Sequence, residues 1–123
     1  MNRTINVLVF VAIIASLGCI GKTYTGVNEV VLDKGGWGEK FVGVVEVYSC
    51  LEANEEGQWC KVTDYRTDDP KEIWIFNGLN STLVFGDVVE LRGKVGEAKI
   101  RTKHGFEEDV IYINVENLRF LDD

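Results

Sequence analysis

The sequence predicts an all-β domain, five to six short strands closed or partly closed into a small barrel. Three observations predict it. Apolar and polar residues alternate with period two over most of the chain from Phe41 to Val115, the pattern of strands buried on one face. Turn-forming clusters interrupt that alternation at the spacing of short antiparallel strands. No segment shows a convincing amphipathic helical period.

The first strand begins at Phe41, where Phe41, Gly43, Val45 and Val47 share one face while Glu46 and Tyr48 point away. After a Glu-Glu-Gly turn, Cys60 and Val62 alternate with Lys61 and Thr63 in a second strand, which ends near Thr67-Asp68-Asp69-Pro70. Ile73-Trp74-Ile75-Phe76 forms a third, closed by Asn77-Gly78. The fourth has the clearest alternation. Following Gly86-Asp87, Val89, Leu91, Gly93 and Val95 face one way and Glu90, Arg92 and Lys94 the other. Ala98, Ile100 and Thr102 then alternate with Lys99, Arg101 and Lys103, and Ile111, Ile113 and Val115 with Tyr112, Asn114 and Glu116.

The stretch Phe85 to Val95, arriving after three strands and followed by a hairpin and a last strand ending in Asn117-Leu118-Arg119-Phe120, resembles the fourth-strand region of OB-fold (oligonucleotide/oligosaccharide-binding) domains. The resemblance covers roughly Phe41 to Leu121. Only Leu79 to Phe85 is available for the helix most OB-folds insert between strands three and four. The chain is therefore similar to the helix-poor exported type. The resemblance implies a ligand face on strands two and three.

The N-terminus carries a different signal. Arg3 precedes an uncharged run, Val7 to Ile20, of 14 residues, shorter than the roughly 20 that span a bilayer as a helix. Ser16-Leu17-Gly18-Cys19 places small residues before a cysteine, as a cleavage region requires. This region resembles a prokaryotic lipoprotein signal, which implies acylation of Cys19 and a mature chain starting there. An uncleaved anchor and a cytosolic N-terminal strand are the alternatives. The expected organisation is a signal peptide over 1–18, a lipid-anchored tether over 19–36 and the barrel over 37–123. The expected location is the extracytoplasmic face of the cell membrane, with the lipid on Cys19 as the membrane contact.

Three cysteines are present, and assigning Cys19 to lipid leaves the pair Cys50 and Cys60. They end and begin two strands, so they can face each other at a hairpin mouth as a disulfide. Free buried thiols are the alternative. A metal site lacks partners, because the only histidine, His104, is remote and stands in a Lys-His-Gly turn. Neither a metal nor a cofactor is expected.

If Cys60 and Val62 point inward, Trp59, Lys61, Thr63 and Tyr65 point outward, and if Ile73 and Ile75 are inward, Trp74 and Phe76 are outward. Trp59, Lys61, Tyr65, Trp74 and Phe76 are then the candidate ligand-binding residues, a platform suited to stacking rings. In the alternative, Trp74 and Phe76 fill the interior. Arg92, Lys94, Lys99, Arg101 and Lys103 form a second candidate, an anion-binding stripe on the last hairpin, or simply a solvated face that discourages edge-to-edge association. Asn80-Ser81-Thr82 is a glycosylation sequon, useful only in a glycosylating host.

Net charge is −7. Arg3 is the sole charged residue before Cys19, so a chain cleaved there carries 12 bases against 20 acids. That balance opposes nucleic-acid binding, which draws its free energy from neutralising phosphates. The sequence lacks G-x-S-x-G, H-E-x-x-H, P-loop and calcium-loop motifs, while Asp64, Asp68, Asp69 and Glu72 cluster as turn residues do. The expected function is non-enzymatic: an exported module binding a ligand or an envelope protein. A single-strand nucleic-acid binder and an envelope-assembly protein without a small ligand are the rivals.

Overall fold

The computed structural model describes residues 22–34, 36, 38–101 and 105–121. The expectations for residues 1–18, Cys19, Lys103 and His104 lie outside the described residues. The elements are β1 (Thr23–Tyr24), α1 (Val27–Asp33), β2 (Lys40–Cys50), β3 (Gln58–Asp64), β4 (Ile73–Asn77), β5 (Val88–Arg101) and β6 (Glu107–Phe120). Among the described residues no helix is long and apolar enough to cross a membrane.

The sheet runs β1-β2-β3-β4-β6-β5, and β2 also pairs with β5, so the ladder closes on itself. All its pairings are antiparallel except β4 with β6 and the short β1 with β2. This is the small OB-fold-like barrel that the sequence predicts, all-β but for one short helix. Closure removes most of the exposed strand edges that make small sheets associate.

The alternation locates the core. Phe41, Val45, Val47, Cys60, Val62, Ile73, Ile75, Val89, Leu91, Val95, Ile113 and Val115 are buried together inside. Burying each large aliphatic side chain contributes about 1.5–3 kcal/mol. Strand lengths differ from the sequence expectation. Ala98, Ile100 and their neighbours continue the fourth strand without a break, so β5 and β6 pair as one long hairpin from Val89↔Phe120 to Arg101↔Glu107.

Helix α1 is the main departure. Val27, Val30 and Val31 do stand at helical spacing, but over only seven residues, with β-branched side chains and no capping side chain at Gly26. The cap comes from elsewhere: Asp64, at the end of β3, accepts from the Val27 and Asn28 backbone N–H groups at 2.6 and 3.0 Å. A helix whose N-terminal donors are satisfied 37 residues away leaves no local start signal. Tyr24, Val27 and Val30 are buried, so these side chains of a segment expected as part of a tether join the barrel core. β1 follows suit by taking the edge of Lys40–Phe41 that β3, which reaches only Val45–Cys50, leaves uncovered.

Between β4 and β5 the described chain has no helix, and side-chain amides organise the crossing. Buried Gln58 accepts from the Leu83 N–H and donates to its carbonyl, both at 2.9 Å, which seats Leu83 in the core. Buried Asn77 donates to the Ser81 carbonyl at 2.7 Å and accepts from the Leu79 N–H at 3.1 Å. Each bond satisfies a backbone group that a helix would otherwise have paired.

Cys50 and Cys60 stand directly opposite on β2 and β3 and form a disulfide. Cross-linking so short a loop contributes about 2–3 kcal/mol by restricting the unfolded chain. Reduction, or paired Cys50→Ser and Cys60→Ser substitution, is expected to lower the melting temperature by on the order of 10 °C, measured by circular dichroism.

Tyr24 fastens the N-terminal segment. Its ring is buried, and its hydroxyl donates toward Glu39 Oε1 at 3.1 Å and Asp33 Oδ2 at 3.2 Å. Burial and then the Glu39 hydrogen bond push its pKa up to about 12. A raised pKa marks stability that is complete below the unfolded value of 10.0 and disappears as pH climbs from there through about 12. Asp33, bonded by Lys22, and Glu39, bonded by the Gly36 N–H, are held below the usual carboxylate range, and their contribution is lost as pH falls through those lowered values. An absorbance titration is expected to show one tyrosine ionising last, a step that Tyr24→Phe removes.

Candidate functional site

In β3 and β4 the inward residues are buried and the outward ones half-exposed. Ile73 and Ile75 therefore belong to the core, and Trp74 and Phe76 stand on the outer face. The alternative with these aromatics inside does not hold, because the interior is already filled by Cys60, Val62, Ile75 and Ile113.

Pairing places Trp59 opposite Phe76, Lys61 opposite Trp74, and Trp74 beside Tyr112 of β6. The side chains meet accordingly. The Trp59 ring centroid is 5.1 Å from that of Phe76, 5.1 Å from that of Tyr112 and 6.4 Å from that of Trp74, with the rings tilted or edge-on. Lys61 Nζ lies 5.0 Å over the Trp74 ring and 3.9 Å from Glu72. Aromatic pairs of this geometry contribute about 0.5–1.5 kcal/mol each, and an exposed cation over a ring about 0.5–1 kcal/mol.

Two glycines seat these rings. Gly96 pairs with Tyr112 across β5 and β6, and a Cβ there would lie 2.9 Å from the Tyr112 ring. Gly57 adopts φ +149°, and a Cβ on it would lie 2.7 Å from the Phe76 ring, so only glycine lets the loop pass beneath that ring.

Four of the five expected residues, Trp59, Lys61, Trp74 and Phe76, come together. Tyr65 does not join them. It follows the end of β3, with Arg66 stacked on its ring at 4.8 Å, and no aromatic pair links it to the cluster among the described residues. Tyr112 is the member that the sequence reading missed. Its outward orientation is visible in the alternation with Ile111 and Ile113, but its place beside Trp74 depends on the parallel pairing of β4 with β6.

Trp74 also walls a groove of about 470 Å³, within the usual range for small-molecule sites. Val31 of α1 and Lys34, which caps its C-terminus, border it on one side, Glu72 and Ile73 at the entrance to β4, and residues 108–111 of β6 on the other.

The expected single basic stripe is split: β5 runs without a break, so Lys99 and Arg101 share the face of Val95 while Arg92 and Lys94 share the opposite one, and three of these four cations meet carboxylates. Lys94 pairs with Glu116 at 3.9 Å, Lys99 with Asp109 at 3.0 Å and Arg101 with Glu107 at 3.7 Å. Arg92 has no ion pair among the described residues. The acids thought to mark only a turn divide their work: Asp64 caps α1, Asp69 pairs with Lys71 at 3.7 Å and Glu72 with Lys61. Asn80 is exposed in the β4–β5 connection. Among the described residues no three His, Cys, Asp or Glu side chains are grouped to hold a metal.

Comparison with known protein families and with curated proteins finds no match.

The platform and the core differ in what their truncation does. Trp74→Ala removes surface contacts and is expected to destabilise the domain by about 1–2 kcal/mol, whereas Ile75→Ala opens an internal cavity at about 2–5 kcal/mol. Urea unfolding of the two variants checks this, and a larger loss at Trp74 than at Ile75 would contradict the placement.

Proposed function

We propose that this protein is a non-enzymatic, extracytoplasmic lipoprotein that binds a ligand or a protein partner through the outer face of β3, β4 and β6. The observation that carries the reading is the packing of Trp59 against Trp74, Phe76 and Tyr112 on that face, beside a groove that Trp74 shares. Half-exposed rings held against one another on a sheet present part of their π-faces and apolar edges at little entropic cost, which suits recognition of planar or ring-shaped groups.

Export and anchoring draw support from the lipoprotein-like signal ending at Cys19 and from the Cys50–Cys60 disulfide, a bond that persists in oxidising compartments. Pairing of three cations of the last hairpin with carboxylates argues against a phosphate track, and so against the nucleic-acid alternative. An envelope-assembly role would use the same face for a protein surface.

Two measurements test the reading. The intact mass of protein from the native host's membranes is expected to begin at Cys19 with a diacylglycerol adduct, and full-length unmodified chain in the soluble fraction would overturn the anchored form. Tryptophan fluorescence with oligosaccharides, peptides and oligodeoxythymidine is expected to show a saturable response that Trp74→Ala abolishes and that persists between about 50 and 200 mM salt. A response to oligodeoxythymidine alone, falling by orders of magnitude over that range, would establish the nucleic-acid alternative.

A further inference from the structure

Strands β4 and β6 run parallel but meet over only three residue pairs, Trp74–Phe76 against Tyr112–Asn114. Ahead of that seam they part. The chain entering β4 is tied to α1: Asn28 accepts from the Lys71 N–H at 2.8 Å and donates to the Asp69 carbonyl at 3.4 Å, and Pro70 between them has no N–H to offer a ladder. β6 instead continues straight along β5, with Glu107 to Ile111 opposite Arg101 to Glu97. The groove is the space between the diverging chains.

One wall of the groove is therefore a strand edge. Among the described residues, no strand pairs with Glu108–Ile111 on the side away from β5. In an antiparallel ladder alternate residues turn both N–H and C=O to the outer edge. The wall thus offers backbone donors and acceptors at the spacing of an incoming strand, facing an apolar lining that includes Val31, Ile73 and Trp74.

The charges say which strand fits. Glu107 pairs with Arg101 and Asp109 with Lys99, while Glu108 on the β6 wall and Lys34 on the α1 wall have no ion pair among the described residues. A second copy of this chain docking edge to edge would bring Glu108, the acid of this edge without a cation partner among the described residues, close to its own counterpart, which like charge opposes. A peptide with apolar side chains toward Trp74, a basic residue beside Glu108 and an acidic one toward Lys34 meets no such opposition.

We propose that the groove takes an extended peptide segment of a partner protein, added as a strand to the open edge of β6 where β4 has turned away. The proposal rests on the binding role of the aromatic face and names its partner class.

The test pans the full oxidised chain against a library of acetylated, amidated hexapeptides. Selected peptides are expected to alternate apolar and polar residues with one basic and one acidic position, and to slow amide exchange at Glu108–Ile111. N-methylating alternate backbone amides is expected to weaken them about five- to tenfold per lost bond. Glu108→Lys, exposed and checked for fold by circular dichroism, is expected to prefer peptides whose basic position is replaced by an acidic one. The proposal is overturned if no peptide is selected, if binders ignore N-methylation, or if sedimentation shows the chain pairing with itself along this edge. A ligand that needs Trp74 but is indifferent to Glu108 would sink the peptide while leaving the aromatic face as a site. Loss of every Trp74-dependent ligand would remove both.

Discussion

The structure depends on β2 hydrogen-bonding along both of its edges. One edge carries β5 from Lys40 to Glu46, and the other carries β1 and then β3. A flat sheet would leave two open edges and one wet apolar face, whereas the pairing of β5, the far strand of the order, back onto β2 joins the two ends of the sheet and turns its apolar face inward. The alternating residues then have a single place to go. The remaining features respond to that closure: the disulfide fastens the β2–β3 hairpin at its mouth, Gln58 and Asn77 replace a connecting helix, and α1 packs Val27 and Val30 into the core.

Closure also decides what remains outside. A small ring has room inside for one side chain from alternate positions, so residues such as Trp59, Trp74, Phe76 and Tyr112 are left on the exterior and cover one another there. Their rings need flat ground, which Gly57 and Gly96 provide. The aromatic face is therefore a consequence of barrel geometry as well as a candidate for recognition. The groove beside it arises because Asn28 draws the entrance of β4 toward the helix while β6 follows β5, leaving a short unpaired strand edge in a molecule whose sheet is otherwise mostly closed.

Much of this was legible in the chain and some was not. The inward residues of β2, β3 and β5 follow from alternation alone, and the Cys50–Cys60 pair from the cysteine count and the placing of both at the mouth of one hairpin. Trp74 and Phe76 were undecided because Ile73 and Ile75 are as apolar as their neighbours, and a four-residue run of large hydrophobics has no polar face to orient it. The helix was missed because its capping carboxylate is Asp64, on another strand, and Tyr112 because its neighbour Trp74 is reached only through a parallel pairing between distant strands.

By itself the sequence determined the all-β class, the strand positions, the apolar interior and the balance of charge, since each is set by the local order of side chains and the two-residue period of an extended backbone. Only the tertiary structure decided which strands became neighbours, and with that the membership of the aromatic face, the pairing of three cations of the last hairpin with acids, the helix docked by Asp64, and the open edge of β6. Those properties belong to contacts between residues far apart in the chain, and no local pattern records a contact that exists only once the ring has closed.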